Sequence, residues 1–135
     1  MKNMQKIVSY RELVVWQNSK DLAVRTYKLT NYLPSEERFS LCDQMKRSAV
    51  SVPSNIAEGQ QRPTTKDFLH FLYIAKGSTA ELITQLEITK ELYPELNELI
   101  DSLLNEYIIL SKQLANLIKS IKYKVNNSNH KKSSR

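Results

Sequence analysis

After Pro94 the chain carries eight core-type residues at alternating steps of four and three: Leu96, Ile100, Leu103, Tyr107, Leu110, Leu114, Leu117 and Ile121. On an α-helix that spacing lines one face and leaves a seam that other helices must cover. Helices joined along such seams cross at about 20°, as in bundles. The 135 residues include only two glycines and four prolines, too few for the tight turns of a sandwich or barrel. The seam therefore points to an all-α chain.

Three earlier segments repeat the pattern. Ser9 and Glu12 have capping-box spacing, and an apolar stripe through Val15, Leu22, Leu29 and Leu33 runs to Pro34. A second helix starts near Phe39 and places Leu41, Met45, Ala49, Val52 and Ile56 on one face, with Gly59 as its C-terminal stop. Thr64 and Asp67 open a third, with Phe68, Leu72, Ala75, Thr79, Leu82, Leu86, Thr89 and Tyr93 on its seam and Pro94 at its end. Short connections between long helices predict an up-down-up-down antiparallel four-helix bundle. A long two-helix coiled coil is the alternative, but Pro34 and Pro94 favour tight reversals. The expected organisation is an N-terminal arm at 1–9, the bundle at 10–123, and a disordered basic tail at 124–135.

The stretch SVPSNIAEG, residues 51–59, interrupts the second helix with Pro53. Proline removes an N–H and crowds the carbonyl four residues back, at a cost of about 3 kcal/mol in a straight helix. Val52 and Ile56 nevertheless continue the apolar face across it. The expectation is one helix kinked at Pro53, with hydroxyls of Ser48, Ser51 or Ser54 near the freed backbone groups. Two helices meeting at Pro53 is the alternative. Asn55 and Glu58 follow. Hydrogen bonding to neighbouring helices or a helix end is the favoured account of both, and a polar site at the bundle end is the sharper one.

Charge is unevenly distributed. The net charge is +6. Residues 1–34 carry six cations against two acids, and residues 94–135 carry seven against four, while the middle is balanced or slightly acidic. In an up-down bundle the start of the first helix, the end of the second, the start of the third and the end of the fourth share one pole. That pole collects Lys2, Lys6, Arg11, Arg62, Lys66, Lys119, Lys122, Lys124, Lys131, Lys132 and Arg135. No acidic residue occurs from Lys112 onward. Glu36, Glu37, Glu91, Glu95, Glu98 and Asp101 collect at the other pole. A basic face attracts phosphates by Coulomb force and counterion release. A lysine-rich tail that only aids solubility is the simpler account, and the convergence of Arg11, Arg62 and Lys66 on the same pole weighs against it. Tyr10 and Tyr123 lie there as candidate stacking rings.

The third helix has a second stripe, through Phe71, Ile74, Ser78, Glu81, Gln85, Ile88 and Leu92, beside Gly77. The fourth has another in Leu104, Ile108, Ala115 and Ile118. One buried face per helix suffices for a monomeric bundle, so surplus stripes argue for assembly. Asn55, Glu58, Ser78, Glu81 and Gln85 are thus candidates for a subunit interface or for internal hydrogen bonding.

An enzyme is the least favoured class. His70 and His130 have no evident partner, and the Glu-x-x-His signature of a di-iron bundle is absent, so no catalytic residue, metal or cofactor is expected. The single cysteine, Cys42, excludes an intramolecular disulfide. No apolar run is long enough to span a bilayer and the N-terminus lacks an apolar signal core, so no membrane association and a cytoplasmic location are expected.

Three stretches carry a resemblance: ELVVWQNSKDLAVRTYKLT, QMKRSAVSVPSNIAEGQQRPTTKDFLHFL and IAKGSTAELITQLEI. They resemble the L-x-V-W-Q opening, the R-x-A-x-S-[IV]-P-S-N-I-A-E-G-x-x-R block and the A-x-G-S-x-x-E-L-x-T-Q-L block of the four-helix-bundle family encoded by intervening sequences in bacterial 23S rRNA genes. The match spans roughly residues 12 to 89. Lys46 departs from it, standing where the family often has an arginine, which removes bidentate geometry there. The resemblance implies a homo-oligomer, with pentamers known in the family. It also implies similarity to the accessory variability protein of diversity-generating retroelements, a basic pentamer that binds nucleic acid and a reverse transcriptase. The function expected is a non-enzymatic, homo-oligomeric bundle that binds nucleic acid, RNA before DNA, through its basic pole. The alternative is an oligomeric adaptor for a protein partner such as a reverse transcriptase, without nucleic-acid binding.

Overall fold

The computed structural model describes residues 9–133, with side chains through residue 128. Of the expected N-terminal arm only Ser9 is described. Lys2, Lys6 and Arg135 lie outside the described residues, as do the side chains of His130, Lys131 and Lys132. The described residues form four α-helices, α1 (Val14–Thr30), α2 (Leu41–Gln60), α3 (Thr65–Leu92) and α4 (Asn97–Ser133), and no strand. They form a four-helix bundle in which each helix packs on its chain neighbours and α1 closes against α4.

Cross-helix pairs run in opposite senses. Asn18 bonds Gln113 and Arg25 bonds Ser102 between α1 and α4. Between α2 and α3, Ser51 meets Ser78 and Met45 meets Thr89. Lys90 and Asp101 pair at 2.7 Å across the turn that joins α3 to α4. A lower number on one helix faces a higher number on the next, which is the antiparallel arrangement.

The core contains the four seams. Met45, Ala49, Val52 and Ile56 of α2, Leu72, Ala75, Leu82 and Leu86 of α3, and Ile100, Tyr107, Leu110 and Leu114 of α4 have no exposed surface. Each large aliphatic side chain buried this way contributes about 1.5–3 kcal/mol. The seam of α4 drifts toward its end. Ile118 is buried, while Leu117 and Ile121 are only partly so. A 3.6-residue helix falls behind a seven-residue repeat by about 20° per heptad, so after three heptads the core face has moved on by most of a residue. Leu104 is buried too. Two members of the surplus stripe expected on α4 therefore belong to the core.

Buried hydroxyls donate to their own helices. Thr26 donates to the Leu22 carbonyl at 2.8 Å, Thr79 to Ala75 at 2.9 Å and Thr89 to Gln85 at 2.7 Å. Thr26 has only one hydrogen, so the 2.8 Å contact with Tyr107 is donated by the phenol. Burial pushes the Tyr107 phenol well above its ordinary pKa.

Helix ends follow local chemistry. Ser9 does not open α1 through a capping box. Its hydroxyl accepts from the Arg11 N–H at 3.2 Å and caps a 3-10 turn, Tyr10–Glu12, after which extended Leu13 precedes α1. Thr64 caps α3 as expected, accepting from the Asp67 N–H at 3.1 Å. Pro53 sits inside a single α2, so the two-helix alternative does not hold. The Ser51 hydroxyl is engaged by Asn55 and Ser78. Gly59 is not a left-handed stop, because no residue described has positive φ. A Cβ there would lie 2.6 Å from the Phe71 Cβ and 3.1 Å from Phe68 Cδ1, so this glycine lets α3 come close to α2. The expected disordered tail is helical from Lys124 to Ser133. No proline or glycine follows Pro94, and Asn126 and Asn127, the weaker stop residues, do not end α4.

At the acidic end the Tyr93 hydroxyl donates to Glu37, tying the α1–α2 connection to the end of α3. That bond, then one from Ser40, holds the Glu37 carboxyl below its ordinary value of 4.5, and the same contact raises Tyr93 to about 12.

Two outcomes follow. Gly59→Ala inserts a methyl where the Phe71 Cβ already stands and is expected to destabilise by about 1–3 kcal/mol. Urea unfolding should show a lower midpoint with unchanged slope; an unchanged midpoint would mean that the two helices separate freely. The second concerns pH. The raised Tyr93 pKa contributes stability that is complete below its unfolded value of 10 and is lost as pH rises toward about 12. The lowered Glu37 pKa contributes stability present above 4.5 and lost as pH falls through its folded value. Tyr93→Phe should flatten the alkaline limb of melting temperature against pH and lessen the acid limb.

Candidate nucleic-acid interface

The end of the bundle opposite Glu37 is assembled from four short pieces. They are the 3-10 turn at Tyr10–Glu12, the α2–α3 connection around Arg62, the first turn of α3, and α4 from Lys119 on. The α2–α3 connection is short because Gln61 closes α2 and Thr64 opens α3 at once. This brings Arg62 and Lys66 to the same end. The antiparallel register brings Arg11 to the level of the last third of α4.

The six expected phosphate-binding residues are not equivalent. Arg62 is already engaged: its guanidinium pairs with Glu58 at 2.9 Å and covers the Phe71 ring at 4.9 Å. Arg11 lies over Tyr10 at 4.9 Å. Lys66, Lys119, Lys122 and Lys124 are exposed, and none has an ion-pair partner among the described residues. The acids at this end are Glu12, Glu58 and Asp67 on the other three pieces, and α4 brings none. The strongest field therefore lies along α4.

The candidate polar residues divide. The Asn55 amide donates to the Ser51 carbonyl at 2.8 Å and to its hydroxyl at 2.9 Å, and Ser51 pairs with Ser78 at 2.8 Å. Asn55 and Ser78 thus belong to a bridge between α2 and α3 within the subunit, and Glu58 is held by Arg62. Glu81 and Gln85 face outward into an open groove with Gln44, Gly77, Thr84 and Ile88. The side-chain oxygen of Gln85 is buried yet accepts no hydrogen bond. Gly77 borders open space, since a Cβ there would meet nothing within 4 Å. The close approach expected at Gly77 is not made within this chain.

One ring was missed. Tyr73 of α3 lines a groove of about 360 Å³ with Lys119, Lys122, Tyr123 and Asn126 of α4. It lies on the other flank of α3 from the second stripe, so periodicity assigned it to neither stripe. Pairing α3 with α4 in opposite register was the signal that could have found it. Tyr10 is the weaker ring, packed edge-on against Trp16 with centroids 5.1 Å apart.

His70 is exposed and stands edge-on to Phe71. Among the described residues no three His, Cys, Asp or Glu side chains are grouped as metal ligands require. Cys42 is buried against the Thr30 carbonyl at 3.7 Å, and burial raises its thiol pKa. No helix among the described residues is long and apolar enough to cross a membrane.

The fold and sequence have relatives. A crystal structure of a protein of unknown function from the S23 ribosomal protein family of Bacteroides thetaiotaomicron is 31% identical. The match covers 78% of this chain and 99% of that one, with a TM-score of 0.73. No curated protein matches. The model of the 23S rRNA-intervening sequence proteins matches residues 11–116, extending past the three motif blocks to the middle of α4, and the chain belongs to that family.

Proposed function

We propose that this protein is a non-enzymatic, homo-oligomeric bundle that binds nucleic acid through the basic pole, gripping phosphates chiefly with the last third of α4. The observation that carries this reading is the run of exposed, unpaired Lys119, Lys122 and Lys124 on a helix with no acidic residue after Glu106. Lys66 adds to the same end, and Arg62 contributes less because Glu58 neutralises it. RNA is the first candidate, in keeping with the family's rRNA-gene origin.

Assembly is supported by the flank of α3. Gln85 has a buried, unsatisfied oxygen there, and leaving such a group unpaired costs about 1–3 kcal/mol. Ile74, Ile88 and Leu92 are exposed along the same helix. A second copy docked on this flank would supply a donor and cover those side chains. A ring of parallel copies would place every basic pole on one side, and the family resemblance suggests five.

Fluorescence anisotropy with labelled RNA and DNA over a salt series tests the binding. Lys119→Glu with Lys122→Glu should weaken binding more than tenfold at about 100 mM salt and lower the log–log salt slope by about 1–2. Arg62→Glu should cost less than either lysine reversal. Binding absent at low salt would leave the charge as a solubility device and favour the protein-adaptor reading. For assembly, Gly77→Leu adds a side chain into open space, so the monomer fold should survive. Light scattering should give a multiple of 15.7 kDa for the parent chain and a smaller mass for the variant. A parent mass of one chain would sink the oligomer.

A further inference from the structure

We infer that the groove between α3 and α4 at the basic pole is a single-strand site, in which Tyr73 and Tyr123 stack on unpaired bases while Lys119 and Lys122 hold the flanking phosphates. This rests on the proposal that the pole binds nucleic acid and names the form it takes.

The aromatic inventory selects these rings. Most other exposed or half-exposed rings already have a cation over one face: Arg11 on Tyr10, Lys20 on Trp16, Lys46 on Tyr27, Arg38 on Phe39 and Arg62 on Phe71. Among the described residues Tyr73 and Tyr123 have no cation over them, yet they are 49% and 66% exposed. They line one groove with two lysines. Tyr32 is also bare, but it lies at the other end, beside Leu99.

The chemistry of the groove fits a single strand better than a duplex. A duplex hides its base faces and offers phosphates alone, so bare rings add nothing to its binding. A single strand offers both, and base–aromatic stacking tolerates any sequence. Lys119 and Lys122 are three residues apart and so share one side of α4. Ile118, almost fully buried beneath them, anchors that side to the core. Among the described residues neither phenol makes a protein hydrogen bond, so no protein partner is displaced when a base arrives.

The test compares single-stranded oligonucleotides containing 2-aminopurine, in RNA and DNA forms, with a duplex of the same length. Probe fluorescence should change on binding to the single strand. Tyr73→Ala and Tyr123→Ala should each weaken single-strand binding about tenfold, with the salt slope and duplex affinity unchanged. Tyr73→Phe and Tyr123→Phe should restore both affinity and fluorescence response, since the ring and not the hydroxyl does the stacking. Both tyrosines are exposed, and melting curves of the alanine variants should match the parent. If the alanine variants bind like the parent while Lys119→Glu with Lys122→Glu weakens binding, the stacking site is wrong and the phosphate-binding pole stands. Equal affinity for duplex and single strand without a fluorescence change would overturn the site in the same way. No binding to either form would bring down the proposed function with it.

Discussion

The approach of α2 to α3 sets much of the geometry. Gly59 faces Phe71 and Phe68 so closely that a Cβ there would lie 2.6 Å from the Phe71 Cβ. One and two turns along, Ile56 and Val52 are fully buried, and Ser51 reaches Ser78 with Asn55 completing the bridge. This contact fixes where α3 starts and how it is rotated. With Leu72 and Ala75 turned to the core, Tyr73 falls on the side toward α4 and Gln85 on the side toward α2. Both surfaces that the proposals rest on follow from that rotation.

The fold was largely legible because its signal is local. Alternating steps of four and three reported the core face of α3 and α4 directly, and the structure buries Leu72, Leu82, Leu86, Ile100, Leu110 and Leu114. What periodicity could not carry was cumulative or three-dimensional. The drift that replaces Leu117 by Ile118 accumulates over heptads. Gly59 read as a stop because glycine at a helix end usually is one, whereas its purpose lies in a helix that follows it in sequence. The length of α4 was misjudged because a polar tail with Asn126 and Asn127 reads as an end, while no proline or glycine enforces one.

The site was legible in its charge and not in its pairing. Counting cations placed Arg11, Arg62, Lys66, Lys119, Lys122 and Lys124 at one end. The count could not say that Glu58 lies 2.9 Å from Arg62, although an acid four residues ahead on a helix is a hint. Nor could it rank rings. Tyr10 and Tyr73 look alike in sequence, and only the structure separates a ring covered by Arg11 from one left bare.

The interior offers little chemistry to a ligand. Thr26, Thr79 and Thr89 each donate to a carbonyl of their own helix, as do Ser19 and Thr30, and the Tyr107 phenol donates to Thr26, so these buried hydroxyls are satisfied. Contact with other molecules is therefore left to the outside, where two unlike surfaces flank α3. The cationic groove lies between α3 and α4 toward the basic end, and the Gln85 flank lies on the α2 side of α3. Copies joined through the flank in parallel would keep their grooves free and side by side. Each groove need then bind only weakly, because a strand held by one is presented to the next at high effective concentration. A small bundle with two lysines and two rings per copy would gain most from such repetition, so the proposed assembly and the proposed binding would reinforce each other.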